Sequence, residues 1–295
     1  MINSFPPEAP LVTTIMPAYN HAAFVEQAIL SVAAQTYPNV ELVIIDDGST
    51  DSTREVIKDT LFKIERVVPI KFLSQSNVGV CATLNRGLSV AQGKFIQVLA
   101  SDDAYCPEKT SACMTALLAQ PESVAAVYCD GFVMDANGRR GCRFSDIYPV
   151  PLSRNVHKEL SVANWVPAMG LTFRRNAIER AGGFDENLAF EDWDLLLRLT
   201  RNFDLVRIRE CLFLYRLHGA NLHTDLTKMA ESSRKIYEKY PELASFQAVR
   251  DAWTARSPKQ LFSKLEIHHL PLILRIMIRR LQGALHYPAR LRPFR

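Results

Sequence analysis

Two short apolar segments of this chain each end in a pair of adjacent carboxylates. Residues 41–45 precede Asp46 and Asp47, and residues 95–99 precede the pair Asp102–Asp103. Apolar runs of this length, bounded by turn residues, are typical of buried strands. The residues between these two segments show the apolar periodicity of helices. An alternation of buried strands with helices predicts right-handed βαβ units around a mainly parallel sheet. The chain is therefore expected to adopt an α/β fold.

The same alternation extends along much of the chain. Strands are predicted at residues 11–16, 41–45, 70–73, 95–99, 124–128, 132–134, 205–208 and 213–215. Helices are predicted at residues 22–35, from a turn at 49–51 to 61, and at 80–91, 109–119, 176–181, 192–200 and beyond 225. We expect Pro17 to end the first strand. Ligands of parallel sheets bind beyond the carboxyl ends of the strands, so residues 17–20, 46–47 and 102–103 are predicted to form one site.

Paired carboxylates at the end of a buried strand are suited to holding a divalent cation. Such a cation on a phosphate substrate typically uses one or two protein carboxylates, and phosphate oxygens fill the other positions. Without a cation, Asp102 and Asp103 would repel each other and lose solvation. The alternative is a solvated turn, and the neighbouring motifs favour the cation site.

Composition places the chain among ordinary globular proteins. It has 295 residues, 48% hydrophobic and 22% charged, enough for one large domain or one domain with an appendage. The six cysteines are irregularly spaced without a Cys-x-x-Cys pair, which favours a reduced, cytoplasmic protein over a disulfide framework or a zinc site. We expect no signal peptide in residues 1–10 and no membrane span, which would need about 20 apolar residues.

The net charge of +4 resides in the C-terminal part of the chain. Residues 251–295 contain nine Lys or Arg and two Asp or Glu, which leaves residues 1–250 net acidic. The basic, apolar segment 261–295 leaves two alternatives open. One is peripheral contact with anionic lipids on the cytoplasmic face of the inner membrane. The other is a helix packed on the rest of the chain or on another subunit of a homo-oligomer. Nucleic-acid binding is not expected, because the body is acidic and no recognition motif is present.

A series of short motifs, taken in order, resembles glycosyltransferase family 2, whose members have the GT-A fold. The motifs are Met16–Asn20, Gln35–Pro38, Glu41–Asp51, Asn77–Gly79, Asn85–Gly87, Gly93–Asp103, Gly182–Glu186, Glu191–Asp192 and Tyr215–His218. The resemblance implies a GT-A domain over residues 1–222, with nucleotide-sugar binding at about 10–106 and the acceptor and catalytic part at about 107–222. Residues 223–295 would form a helical, basic extension.

The resemblance implies contacts with a nucleotide-sugar donor at the strand ends. The residues concerned are Pro17, Ala18, Tyr19, Asp47, Asn77, Gly79, Ser101 and Asp102. Asp47 would accept a hydrogen bond from the base, and the segment before Asn20 would line the base. The alternatives are a turn role for Asp47 and plain packing for Tyr19.

The resemblance also implies a bound Mn²⁺ or Mg²⁺. Asp103 would contact the metal, Asp102 the ribose or the metal, and His218 the metal or the diphosphate. The family pattern is Asp-x-Asp, and this chain departs from it because Ala100 stands at the first position. That departure leaves the division of roles between the two aspartates open.

By the same resemblance, Asp192 occupies the position of the catalytic base. A sugar hydroxyl is a poor nucleophile, and a carboxylate that takes its proton typically supplies 10²–10⁴-fold in rate. Gly170, Glu191 and Trp193 are candidate contacts of the acceptor. The alternatives are an acidic cluster at a helix N-terminus for Glu191 and Asp194, and core packing for Trp193.

The activity that the resemblance implies is inverting transfer of one sugar per encounter. The donor would be a nucleotide diphosphate sugar, with UDP as the default, and the acceptor a hydroxyl of a glycan or a lipid-linked sugar. The Gln-x-x-Arg-Trp motif of processive synthases is absent, and surface-polysaccharide or lipopolysaccharide assembly is the expected setting. A nucleotidyltransferase would need a basic, glycine-rich loop after the first strand, whereas residues 17–21 contain no Lys or Arg. A non-catalytic subunit with the same fold is the other alternative.

Overall fold

The computed structural model describes residues 8–64, 67–147, 150, 156–162, 164, 166–219, 221 and 226–243. The strands are β1 Val12–Ala18, β2 Val40–Asp47, β3 Ile70–Gln75, β4 Phe95–Val98, β5 Ala104–Tyr105, β6 Val124–Met134, β7 Arg140–Arg143, β8 Leu171–Arg174 and β9 Asp204–Arg216. The helices are α1 Val25–Ala33, α2 Thr53–Ile64, α3 Val80–Val90, α4 Lys109–Leu118, α5 Phe144–Ile147, α6 His157–Val162, α7 Arg175–Arg180, α8 Asp192–Leu199 and α9 Leu226–Lys239. Single 3₁₀ turns lie at Ala168–Gly170 and Pro241–Leu243.

All the described strands join one sheet, with α-helices packed against it. The strand order is β3-β2-β1-β4-β8-β6-β9-β5, and β7 extends β6 as a hairpin. Strands β3, β2, β1 and β4 are parallel, as predicted. The second half is mixed, because β8 lies antiparallel between β4 and β6, whereas β6 and β9 are parallel. The predicted α/β class is confirmed, and the carboxyl ends of β1, β2 and β4 lie at one edge of the sheet.

The first strand does not end at Pro17, contrary to our expectation. Pro17 pairs with Ile45 of β2, and β1 continues to Ala18. The last β4 contact is the amide of Leu99, which donates to the carbonyl of Ile15. The missing N–H of Pro17 faces the side where β4 has already ended, so no ladder hydrogen bond is lost there.

Two pairs of predicted short strands are each a single long strand. Residues 124–128 and 132–134 both belong to β6, and residues 205–208 and 213–215 both belong to β9. The pairing of β6 with β9 shifts register around Asp130. Such bulges interrupt the two-residue alternation on which sequence prediction relies, which explains why each strand was predicted as two. Residues 135–138 form the turn between β6 and β7, which pair antiparallel as a hairpin.

The C-terminal part of the described chain consists of α9 and a short 3₁₀ turn. Among the residues that the structure describes, no helix has the length and apolar character needed to cross a bilayer. The basic segment 261–295, for which we left membrane contact and subunit packing open, lies outside the described residues.

Candidate active site

Asp47, the last residue of β2, organises the loop at residues 75–79. It is buried, and its Oδ1 accepts hydrogen bonds from Gln75 Nε2 at 2.7 Å and from the amide of Val78 at 3.0 Å. Its Oδ2 accepts from the amide of Gly79 at 3.0 Å. Gly79 has φ +90°, a conformation that favours glycine. The carboxylate therefore fixes Asn77 and its neighbours at the carboxyl edge of the sheet, where we predicted that a nucleotide would bind.

Asp46, which precedes Asp47, has a structural role. Arg54 and Ser74 donate to its Oδ2 at 3.1 and 3.2 Å, and the amide of Ser49 donates to its Oδ1. Burial favours the neutral acid, but these hydrogen bonds outweigh it and lower the pKa of Asp46. The two adjacent carboxylates thus separate into one that holds the start of α2 and one that holds loop 75–79.

The segment after β1 lies beside Asp47 and is accessible. Pro17 and Ala18 end the strand, and Tyr19 is 45% exposed. Plain packing therefore does not account for Tyr19. The next residue, Asn20, has φ +53° and its side chain accepts from the amide of Thr50 at 2.8 Å, which ties this segment to the turn after β2.

Two histidines and one aspartate converge beyond β1 and β4. His218 Nε2 lies 2.9 Å from Asp102 Oδ2, and His21 Nε2 lies 3.8 Å from the same oxygen. Ser101 Oγ lies 2.8 Å from His21 Nδ1, and Asn221 Nδ2 donates to Asp102 Oδ2 at 3.2 Å. Of the described residues, only His21, Asp102 and His218 form a group whose possible metal-ligand atoms all lie within 4.8 Å of one another.

The chemistry of this donor group fits a divalent transition metal. Carboxylate oxygen suits Mg²⁺ and Mn²⁺, whereas imidazole nitrogen suits transition metals. Burial lowers the pKa of His21, partly opposed by the charge of Asp102, so the neutral imidazole that a metal requires is favoured. The hydrogen bond from His218 and the nearby histidine charge lower the pKa of Asp102 despite its burial, so this carboxyl is favoured in its ionised form.

Asp103 lies apart from that group. A turn in which the Asp103 amide donates to the carbonyl of Ala100 directs its carboxylate to the amide of Arg216, at 2.8 Å. Burial and the neighbouring charge of Asp102 raise the pKa of Asp103 well above its usual range. The predicted metal contact of Asp103 stays a prediction, since the structure places Asp102, His218 and His21 together and Asp103 beside Arg216.

Asp192 and Glu191 lie at the start of α8 and are partly exposed. Asp192 Oδ2 accepts from Asn164 Nδ2 at 2.6 Å, and its Oδ1 accepts from the amide of Trp193 at 2.8 Å. Burial raises the pKa of Asp192 although both hydrogen bonds oppose that change. Burial, and then the charge of Asp192, raise the pKa of Glu191 to about 8.

Helix α3 connects the loop at residues 75–79 with Asp192. At its start, the Cys81 thiol lies within the electrostatic field of Glu191 and Asp192, which together with burial raises its pKa. One turn later, Asn85 Nδ2 donates to the carbonyl of Phe184 at 2.9 Å, and Asn85 Oδ1 accepts from the Phe184 amide at 2.9 Å. Asn85 therefore holds the loop that leads to Asp192 against α3, which begins at Val80.

The remaining candidates lie in the protein interior. Trp193 is 2% exposed, stacks on Phe190 and donates from Nε1 to the carbonyl of Leu160 at 2.7 Å, which favours the packing alternative. Asp194 is fully buried and pairs with Arg198 and Lys239, both at 2.7 Å. Gly170 is also buried, and a Cβ there would lie 2.7 Å from the carbonyl oxygen of Cys129.

Sequence reasoning missed three polar residues of this region, namely His21, Asn164 and Asn221. A signal existed for His21. The β1–β4 register pairs Ile15 with Val98, so the segments after these two strands must lie side by side. No comparable signal exists for Asn164 and Asn221, because no predicted strand pairing constrains their positions.

A comparison with protein families matches residues 13–181, more than half of the chain, to the family "Glycosyl transferase family 2". An uncharacterised glycosyltransferase of Nostoc sp. is 30% identical over 218 residues, which cover 72% of this chain and 66% of the relative. The chondroitin synthase of Escherichia coli is 28% identical over 213 residues, which cover 72% of this chain and 30% of the synthase. The chain thus matches less than two thirds of the length of these relatives.

Solved structures share the fold. Staphylococcus aureus TarS 1–349 in complex with UDP has a TM-score of 0.56 and 19% identity, covering 92% of this chain and 80% of that one. The mannosyltransferase PcManGT from Pyrobaculum calidifontis, in complex with GDP-Man and Mn²⁺, has a TM-score of 0.58 and 18% identity, covering 95% and 87%. With the motifs at one edge of an α/β sheet, these findings establish that the chain belongs to glycosyltransferase family 2 and has the GT-A fold.

Proposed function

We propose that this protein is a metal-dependent, inverting glycosyltransferase that moves one sugar per encounter from a nucleotide diphosphate sugar to a hydroxyl group. The observation that carries the proposal is the arrangement around α3. Loop 75–79, held by Asp47, precedes this helix, and the carboxyl group of Asp192 lies near its first turn. A donor-binding segment and a basic group are thereby fixed relative to each other.

We propose a UDP-sugar as the donor. TarS 1–349 forms complexes with UDP and with UDP-GlcNAc, and PcManGT binds GDP-Man with Mn²⁺. In this chain Asp47, Tyr19 and loop 75–79 supply the base-binding surface. Two of the three hydrogen bonds that Asp47 accepts come from backbone amides. The backbone of loop 75–79 is therefore held in place before a nucleotide binds.

The divalent ion would be held by Asp102 and His218, with His21 beside them. When bound, it supplies neutralisation of the leaving diphosphate and Lewis acidity. Mn²⁺ fits a donor group of two imidazoles and a carboxylate better than Mg²⁺ does, because Mg²⁺ prefers an all-oxygen shell. Asp103 stabilises the position of this group indirectly, because its carboxylate accepts a hydrogen bond from the backbone amide of Arg216.

Asp192 performs the proton transfer in this mechanism. Its carboxylate takes the proton from the acceptor hydroxyl as the oxygen attacks the anomeric carbon opposite the leaving diphosphate. A base is most effective when its pKa lies closer to the working pH, and burial moves the pKa of Asp192 in that direction. Glu191 lies next to it in the chain, and we assign it to orientation of the acceptor.

We propose that the acceptor is a glycan or a lipid-linked sugar in the assembly of a surface polysaccharide or lipopolysaccharide. The relatives that support this include chondroitin and hyaluronan synthases. A cytoplasmic site, peripheral to the inner membrane through residues 261–295, would bring the enzyme to a lipid-linked acceptor.

Calorimetric titration of UDP, GDP and dTDP into the purified protein tests the donor assignment. We expect UDP to bind in the presence of Mn²⁺ and binding to weaken strongly with EDTA. Binding of GDP or dTDP instead of UDP would replace UDP as the assigned donor nucleotide. If none of the three binds with or without metal, the transferase proposal fails and a non-catalytic GT-A subunit becomes the better description.

Substitution Asp192→Asn tests the base. We expect sugar transfer to fall by at least 10²-fold, the lower bound for a lost general base, with nucleotide affinity within a factor of two of wild type. The matched control is Asp59→Asn, which changes an exposed carboxylate on α2 outside the site and should leave sugar transfer unchanged. Transfer by Asp192→Asn at the wild-type rate would show that another group is the base.

A further inference from the structure

Asp192 has one side-chain hydrogen-bond donor in the described part of the chain. Asn164 Nδ2 lies 2.6 Å from Asp192 Oδ2. The second oxygen, Oδ1, is held by the amide of Trp193 within its own helix at 2.8 Å. The carboxylate is therefore restrained on both oxygens, and among the described residues only Asn164 contacts it from another segment.

The fold places Asn164 at this point by fixing α6 against α8. Near the start of α8, Trp193 Nε1 donates to the carbonyl of Leu160 at 2.7 Å. At its end, Thr200 Oγ1 lies 2.8 Å from His157 Nδ1. Because α6 is attached at both of its ends, Asn164, two residues beyond Val162, is brought to the first turn of α8.

The side-chain carbonyl of Asn164 shows that the contact between Asn164 and Asp192 is not optimised for stability. Its Oδ1 is inaccessible to solvent and accepts no hydrogen bond from the residues that the structure describes. A buried carbonyl without a partner costs about 1–3 kcal/mol. If Oδ1 were turned toward Asp192, two acceptor oxygens would face each other, so the observed orientation is the one that a carboxylate requires.

We propose that Asn164 is a positioning residue, which holds the Asp192 carboxylate in a fixed orientation toward the acceptor hydroxyl and favours its ionised form. The catalytic part of this inference rests on the proposed function, whereas the effect of Asn164 on the ionisation of Asp192 does not. An amide donor stabilises a carboxylate and not the protonated acid. Loss of the donor should therefore make Asp192 harder to ionise.

Other titratable groups lie near Asp192, and each must be kept constant in a test. Glu191 precedes it on the same turn, Asp194 follows on α8, and Asp185 lies in the preceding loop. Burial, and then the charges of these acids, raise the pKa of the Cys81 thiol on α3. Asn164 is neutral, so its removal changes the donor without adding or removing a charge.

The direct test is a carboxyl-carbon NMR titration of protein labelled with ¹³C-aspartate, in which Asp192→Asn identifies the Asp192 signal. In Asn164→Ala we expect the pKa of Asp192 to rise by about one unit relative to wild type, a tenfold change in its ionisation constant. Asn164→Ser, which keeps a short donor, should give a smaller rise and serves if the alanine variant does not fold. Asn176→Ala is the matched control, because it makes the same substitution at an exposed position on α7, and it should leave the titration of Asp192 within 0.3 units.

Sugar transfer from the donor found by titration gives the second measurement. The acid limb of the kcat–pH profile should move to higher pH by the same amount in Asn164→Ala, with the melting temperature changed by less than about 2 °C. A pKa of Asp192 unchanged within 0.3 units in folded Asn164 variants would overturn the proposal. A shifted pKa in a protein that transfers no sugar would support the contact and refute the proposed function instead.

Discussion

Removal of the Asp194 carboxylate should destabilise the packing of α8, which begins with Asp192, against α9. Asp194 is fully buried at the centre of an ion-pair network. Its Oδ2 accepts from Arg198 Nε at 2.8 Å and Nη2 at 2.7 Å. Its Oδ1 accepts from Lys239 and from Tyr240 Oη, each at 2.7 Å. One carboxylate thus joins α8, which begins with Asp192, to α9.

The cost can be estimated from what each partner keeps in Asp194→Ala. Loss of one partner from a buried ion pair typically costs 3–5 kcal/mol. Arg198 still donates to the carbonyl of Gly183 at 2.7 Å, and Lys239 is 37% exposed and keeps Asp185 at 2.6 Å. Tyr240 loses a buried hydrogen bond worth about 1 kcal/mol. We therefore expect the lower end, about 3 kcal/mol.

Urea unfolding, followed by circular dichroism, measures this free energy. Asp194→Asn keeps one acceptor and should lose about half as much as Asp194→Ala. The control is Glu238→Ala on α9, which removes an exposed pair with Arg234 and should change the free energy of unfolding by less than about 0.5 kcal/mol. If Asp194→Ala loses less than 1 kcal/mol, the network does not hold α8 and our account of the support for Asp192 is incorrect.

Two further predictions concern the same region. Gly183 has φ +74° and an added Cβ would lie 2.8 Å from Asn85 Oδ1, whereas Gly182 has φ +85° and open space around it. Gly182→Ala should lower the free energy of unfolding only by the backbone strain of about 1–2 kcal/mol. Gly183→Ala should lower it further and should also slow sugar transfer. Equal melting temperatures of the two variants would contradict this prediction. Because burial raises the pKa of Glu191 from its ordinary value of 4.5 to about 8, the protein loses stability as the pH rises from the lower to the higher value, and the loss is complete above that range. Glu191→Gln should therefore raise the melting temperature at pH 9 but not at pH 4, and a gain at pH 4 alone would reverse the sign of that argument.

The first half of the fold followed from the sequence because its signals are local. Each of β1, β2 and β4 is a short, mostly apolar segment, followed by polar residues that lie at the carboxyl edge. Strand β8 was missed, since its four residues, Leu171–Arg174, are too few to show a period. Strands β6 and β9 were divided because their bulges near Asp130 break the alternation.

The roles within each acidic pair could not be derived from the sequence. Asp46 and Asp47 are adjacent, yet one receives Arg54 and the other receives backbone amides of residues 78 and 79. Successive side chains of a strand point to opposite faces, so a pair at a strand end must separate in this way. The structure is needed to show which partner lies on which face. The same holds for Asp102 and Asp103, which the turn at Ala100 directs to different partners.

Adjacent residues of α3 link the two halves of the site, and this explains why the motif Asn85-Arg86 contains two polar residues. Arg86 donates to Gln75 Oε1 at 2.6 Å, and Gln75 in turn donates to Asp47. Asn85 holds Phe184 of the loop that leads to Asp192 through two hydrogen bonds. Neighbouring side chains of a helix point about 100° apart, so one turn of α3 can reach both sides at once. The spacing between loop 75–79 and Asp192 is thus set by a helix, which is the arrangement that the in-line transfer we propose, between two separately bound substrates, would require.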